Sequence, residues 1–378
     1  MSATYSDSGV NVDIEEKAAK LLYAAARRTW RNRSGQVGEV LVPFDDFSGL
    51  RAVNAGGLPE GTMLNLGFDG VGTKAELAEL AGRYDTLAFD LMAMVCDDAV
   101  IRGGEPILVG SILDVNTLGT DDTRLDIIRR LARGYEAAAK AAQVAVINGE
   151  LAQLGTRIGG TLEPFRFSWG ASVLWLAHES RLITGHDVLP GHALIGLRET
   201  GLRSNGISLV RRILAAKYGS DWAQPEHKLS GTPLIDLALK PSLIYTPALI
   251  DLTGGWDLNR PSRARMSVAA HITGSGLPGK LGRALKPSGL GAVIDNPWDP
   301  PELMLHCQDL GDVSDAEAYA TWHMGQGMVV ATPEPHPVLA LARAHHLDAQ
   351  VIGTVTNHPG IRIASRGRFR DRERWLEF

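Results

Sequence analysis

Apolar and polar positions alternate along this chain in two periods, and the change from one to the other marks its elements. Residues 64–76 read LNLGFDGVGTKAE. Leu64, Leu66 and Phe68 alternate with Asn65 and Gly67, which predicts a strand with one buried face, and Gly70 and Gly72 then turn the chain into a helix opened by Thr73 and Lys74. Upstream, Ile14, Ala18, Leu21, Leu22 and Ala25 recur at helical spacing, predicting a helix over 12–33. Its far end carries Arg27, Arg28, Arg31 and Arg33, the composition of a solvated end that compensates the helix dipole. A short helix over 75–84 precedes a second over 88–101, apolar at nearly every position yet carrying Asp90, Asp97 and Asp98. Strand-like runs at 106–115, 144–147 and 167–176 and an amphipathic helix over 125–142 follow, with Asn148-Gly149-Glu150 presenting a carboxylate just past a strand end.

Turn residues at 185–192 precede a new apolar strand and mark a boundary, giving domains 1–183 and 184–378. In the second half, glycine-bounded turns feed helices at Arg203-Ser204-Asn205-Gly206 and at His271-Ile272-Thr273-Gly274. The tail from Arg366 reads as a solvated terminal segment. The sum is an α/β (α+β-like) chain of two domains, as its 378 residues also suggest.

Hydrophobic residues at 44% and charged residues at 21% describe a soluble globular protein. The net charge of −5 excludes an overall basic field for nucleic acid or an anionic membrane, so a phosphate ligand must be held by local groups. Cys96 and Cys307 are too far apart in sequence for a disulfide framework or a zinc signature. The polar, acidic first residues lack a secretory pattern, and no apolar run approaches the roughly 20 residues of a membrane span. These features predict a cytoplasmic protein.

The chemistry gathers on the glycine turn. A helix start with unpaired backbone N–H groups attracts phosphate, and Asp69 beside it would repel phosphate unless a cation stood between, which points to a metal-nucleotide complex. A plain strand-turn-helix corner with Thr73 as cap is the alternative. The P-loop pattern is missed by one transposition, Thr73 preceding Lys74, which misplaces both groups. Asp90 and Asp97 fall on nearly one helix face, with Asp98 about a quarter turn away. Carboxylates buried there need cations, donors or a wet cleft, and Mg2+ bridging to phosphate meets that need, as salt bridges also would. Ser204, Asn205 and Gly206 offer donors to an anion or cap their helix, and His271 is either a structural or a catalytic histidine.

Taken in order, YSDSGVNVD at Tyr5, FDGVGTK at Phe68, DLMAM with Asp98, GGEP at Gly103, GE at Gly149, RSNGISLVRRIL at Arg203, AHITGSGL at Ala270, GLGAVID at Gly289 and GDVSDAEAYATWHMGQGM at Gly311 resemble one family. It is aminoimidazole ribonucleotide synthetase, also called phosphoribosylformylglycinamidine cyclo-ligase. The resemblance implies ATP-dependent closure of an imidazole ring, with a paralogous ATP-dependent kinase acting on another small molecule as the runner-up and a silent nucleotide-binding protein as the third reading. It implies ATP and Mg2+ as cofactors, and a homodimer whose N-terminal domains pair their sheets. Asp69, Asp98 and Glu150 match metal-binding positions. Asp69, Gly70, Gly72, Thr73, Lys74, Asp90, Ser204, Asn205 and Gly206 match the nucleotide and anion turns. Lys74 and His271 match positions nearest the chemistry. The chain departs from the pattern at 43–50, at 151–160, at Pro278-Gly279-Lys280, at Asp97, where asparagine is usual, and at Arg203, where histidine is usual.

Overall fold

The structure is a computed structural model and describes residues 12–42, 51–159, 165–372 and 374–378. The departure at 43–50 and the first residues of the motif at Tyr5 therefore lie outside the described residues. Contacts divide the described residues into two units. One comprises those up to Cys96 together with Pro106–Leu176, the other Asp97–Glu105 with Ala177–Phe378. The sequence places the boundary at 183/184; the contacts draw it at 176/177 and group the short segment Asp97–Glu105 with the second unit.

In the first unit, α1 (Val12–Thr29) has Asp13 and Glu15 in its first turn and Arg27 and Arg28 in its last, matching its dipole. Arg27, Arg28 and Arg31 are exposed, as the sequence reading expects of this end, and Arg33 alone is buried. Arg28 and Arg31 pair with Glu136 at 2.5 and 3.2 Å, and Arg33 donates to the Val37 carbonyl. After β1 (Val40–Val42) and β2 (Ala52–Val53), which pair antiparallel, come β3 (Thr62–Gly70), α2 (Lys74–Ala81), α3 (Leu87–Val100), β4 (Glu105–Val115), α4 (Leu125–Ala142), β5 (Ala145–Gln153) and β6 (Phe167–His178). The sheet runs β3-β6-β4-β5 with β4 and β5 parallel. Helix α1 packs on α4 and β5, and Tyr135 of α4 meets Trp169 of β6 edge to face at 5.1 Å.

The alternation in β3 is as the sequence predicts, but its apolar face is not buried: Leu64, Leu66 and Phe68 are 72%, 49% and 73% exposed. Gly67 takes the inner side, where a Cβ would lie 3.2 Å from Val173. Among the described residues nothing covers the outer face, so a period that fixes two faces does not fix which is covered.

The second unit is built on a seven-stranded sheet. Its elements are β7 (Ala193–Arg198), α5 (Ile207–Tyr218), β8 (Lys228–Leu229), β9 (Thr232–Pro233), α6 (Leu234–Ala238), α7 (Thr246–Thr253), β10 (Val268–His271), α8 (Gly276–Leu285), β11 (Gly291–Ile294), α9 (Glu302–Gly311), α10 (Asp315–Thr321), β12 (Gln326–Thr332), α11 (Pro335–Ala344), β13 (Ala349–Thr356), β14 (Ile361–Ala364) and β15 (Trp375–Glu377). The order is β10-β12-β7-β13-β11-β14-β15, and the β11/β14 pair is parallel. Every residue of β12 is buried, and Ile195, Leu197, Tyr245, Leu249, Met328 and Val330 belong to the core. The tail is largely solvated, with Arg368, Arg370, Asp371, Arg372 and Arg374 exposed, yet it ends in a paired strand. Its strand β15 pairs with β14, Leu376 points inward at 5% exposure, and the Arg362 guanidinium covers the Trp375 ring at 4.3 Å.

Candidate functional site

In the first unit the glycine turn is shaped by what lies against it. A Cβ on Gly70 would stand 3.0 Å from the Trp169 carbonyl oxygen, and Gly72 has φ +55°, which favours glycine. Thr73 occupies the N-cap position of α2 without a side-chain capping bond. The Asp69 carboxylate is half-buried and accepts the Gly70 N–H at 2.7 Å. Lys74 turns away from solvent: it is wholly buried, and its ammonium donates to Asp90 at 2.7 Å. Asp90, only 1% exposed, is thus matched by a protein cation.

Glu150 does not follow a strand end. Strand β5 continues to Gln153, because β4 supplies backbone partners that far and Leu151 is again a buried apolar position, so Glu150 lies mid-strand in register with Ile112. Its exposed side chain borders a cavity of about 660 Å³ whose lining includes Glu15, Tyr23, Arg51, Asn148 and Trp169.

The second unit holds a buried chain of charges. Asp97, fully buried, accepts the Tyr245 N–H and the Thr246 hydroxyl at 2.9 Å and Arg203 Nη2 at 3.2 Å. Arg203 Nη1 donates to Glu199 and to the Leu243 carbonyl, both at 3.0 Å, and the guanidinium lies 5.4 Å from the Tyr245 ring centroid. Its Nη2 also stands 2.6 Å from His271 Nε2, and His271 Nδ1 is 2.6 Å from Asp98. Burial holds the Asp97 pKa above the usual carboxylate value, with Arg203, His271 and Thr246 pulling against it. Burial acts the same way on Asp98, but the hydrogen bond from His271, with Lys280 and Arg203 nearby, outweighs it and holds that carboxyl below its ordinary range. The Asp98 side chain stays 48% exposed and open to a ligand.

Two glycine turns meet beside this network. Gly206, at φ +78°, is the N-cap of α5, and a Cβ there would strike the Trp322 indole at 2.4 Å. Ser204 Oγ and Asn205 Oδ1 are buried without hydrogen-bond partners. The Asn205 amide lies against Gly274, in the turn that leads from His271 through buried Thr273 into α8. These two orphaned polar atoms at neighbouring helix starts are hydrogen-bonding capacity that a water or ligand group can meet.

The structure therefore brings Lys74 to Asp90 and His271 to Asp98, with Ser204 and Asn205 beside Gly274. Among the described residues no group of three or more His, Cys, Asp or Glu side chains is arranged to hold a metal ion. The network partners Glu199, Thr246 and Tyr245 were not visible as site residues, since no spacing links them to Asp97. Arg203 left only a trace, as an unusual residue ahead of Ser204.

The described residues form a two-unit α/β protein with glycine turns opening helices in both units, and such helix starts favour anions. The chain belongs to the AIR synthase family: the model described as "AIR synthase related protein, N-terminal domain" matches residues 51–165 and that described as "AIR synthase related protein, C-terminal domain" matches 190–365. It is 34% identical over 93% of its length, and 94% of the relative's, to a phosphoribosylformylglycinamidine cyclo-ligase of Symbiobacterium thermophilum. In fold it resembles thiamine-monophosphate kinase from Stenotrophomonas maltophilia K279a, with TM-score 0.59 and 14% identity, covering 91% of this chain and 95% of that one. It also resembles T. maritima PurL complexed with AMPPCP, with TM-score 0.52 and 13% identity, covering 97% of this chain and 50% of that one.

Proposed function

We propose that this chain is an ATP-dependent cyclo-ligase that closes formylglycinamidine ribonucleotide to aminoimidazole ribonucleotide, releasing ADP and phosphate. The observation that carries the reading is the 34% identity to a named cyclo-ligase across both units. In this reaction the formyl amide oxygen takes the γ-phosphoryl group and becomes a leaving group, and an internal nitrogen attacks to close the ring. The protein's part is positioning and charge neutralisation.

The carboxylates of Asp69 and Glu150 in the first unit, and of Asp98 in the second, are each hard oxygen donors of the kind Mg2+ takes, Glu150 and Asp98 being well exposed. Mg2+ held by such carboxylates would supply neutralisation of phosphate charge. Gly70, Gly72 and Thr73 give the phosphates close approach to the start of α2. Asp90 holds Lys74 beneath that turn as a fixed positive charge. Ser204, Asn205 and Gly206 bind the acceptor or its phosphate at the turn beside Gly274, and His271 orients Asp98. The bare apolar face of β3 supports a homodimer joined through the first-unit sheets.

One feature favours a different acceptor: Lys280 adds positive charge near Asp98, in a stretch that departs from the family pattern. Purified protein given ATP with and without formylglycinamidine ribonucleotide separates the readings. Substrate-stimulated ADP release with the imidazole product detected by mass supports the cyclo-ligase. ATP binding without that stimulation sinks it in favour of a kinase-like sibling.

A further inference from the structure

Asp97 and Arg203 are 106 positions apart in sequence, and in the fold they are a single buried contact. The guanidinium between them has little freedom. Asp97 and Glu199 bind it from two sides, Leu243 accepts a third bond, Tyr245 stacks near it, and all but 2% of its surface is buried. Arginine has donors only, so the His271 nitrogen 2.6 Å from Nη2 must offer a lone pair. The ring proton then sits on Nδ1, facing Asp98.

We propose that Arg203 is a positioning residue that locks His271 in the Nδ1–H tautomer, so that the ring donates to Asp98 and fixes the direction of its carboxylate. Asp97 is the counter-charge that lets arginine occupy this buried place. Without a donor at Nε2 the ring is held by Asp98 alone. Because that carboxylate is 48% exposed it can turn to solvent, which frees the proton to move to Nε2 and costs Asp98 a fixed partner. The effect on catalysis rests on the reading of Asp98 as part of the nucleotide-metal site; the tautomer itself does not.

The test uses the full chain with 15N-labelled histidine imidazoles, the His271 signals being those lost in His271→Gln. Wild type should show Nδ1 protonated and Nε2 bare. Asp97→Asn, which leaves Arg203 paired with Glu199, should show the same pattern. In the neutral Asp97→Asn/Arg203→Met pair, Glu199 keeps the backbone N–H groups of Thr200, Gly201 and Leu243, so the fold should survive. There the two ring signals should average, and kcat should fall about 10-fold or more, the usual range for losing a residue that orients a ligand group. A wild-type His271 that is Nε2–H or already averaged overturns the proposal, as does a folded double variant that keeps the Nδ1–H pattern. The nitrogen spectra need no substrate, so they decide the point even if the protein proves not to be a cyclo-ligase.

Discussion

Lys74 and Asp90 are each almost fully buried and 2.7 Å apart, and such a pair is costly to break from one side only. Lys74→Met should destabilise the first unit by about 3–5 kcal/mol because it strands a buried carboxylate. Lys74→Met/Asp90→Leu should recover most of that loss in denaturant unfolding; a single variant as stable as wild type would show that the pair does not hold this corner. Two histidines in the second unit give a pH signature. Burial holds His192 and His306 below the usual value of 6.5, with Arg265 adding to the effect at His192, while His306 bonds the Tyr218 hydroxyl. As pH falls below 6.5 the unfolded chain takes up protons first, so stability declines there and levels off once the lower folded-state values are passed. His192→Gln/His306→Gln should flatten that part of the stability curve; an unchanged slope would mean other groups produce it. At this scale the glycine turns were legible in the sequence, because φ +55° at Gly72 and the Trp322 contact at Gly206 are demands that glycine meets. The partners of buried charges were not, since Asp97 and Arg203 are 106 positions apart.

Strand β3 shows how an element is read correctly yet misplaced. Alternation identified the strand, but which face is covered depends on what lies opposite, and no sequence period encodes a neighbour. Leu64, Leu66 and Phe68, with Ile112 of β4 on the same outer face, make an apolar surface on the proposed dimer side. Leu66→Asp/Phe68→Asp should leave the circular dichroism spectrum intact and shift the sedimenting species from dimer to monomer. A wild type that is monomeric at micromolar concentration would remove this face from the interface. Glu150 was misread, and the strand at the end of the solvated tail missed, for a related reason. A strand's length is set by its neighbour's backbone, so β5 continues past Gly149 along β4, and three residues of a charged tail become an edge strand beside β14.

At the scale of the whole chain, the order of motifs made both the fold class and the family legible, since it persists over most of the length. The units themselves are less visible, because the second one is not continuous in sequence. Asp97–Glu105 groups with residues 177–378, and it supplies Asp97 to Arg203, Asp98 to His271, and Glu105 to Arg260 at 2.9 Å. A fragment beginning at 184, where turn residues suggest a cut, would leave the buried Arg203 with Glu199 as its one carboxylate and would deprive Tyr245 and Thr246 of their acceptor. Such a fragment should lack a cooperative thermal transition, since each stranded buried group costs on the order of 1–3 kcal/mol and a domain's net stability is only about 5–15 kcal/mol. The full chain should melt cooperatively under the same conditions. A fragment of 184–378 that melts as sharply as the full chain, with His271 still protonated on Nδ1, would mean that Asp97–Glu105 is an accessory to the second unit and not part of its fold.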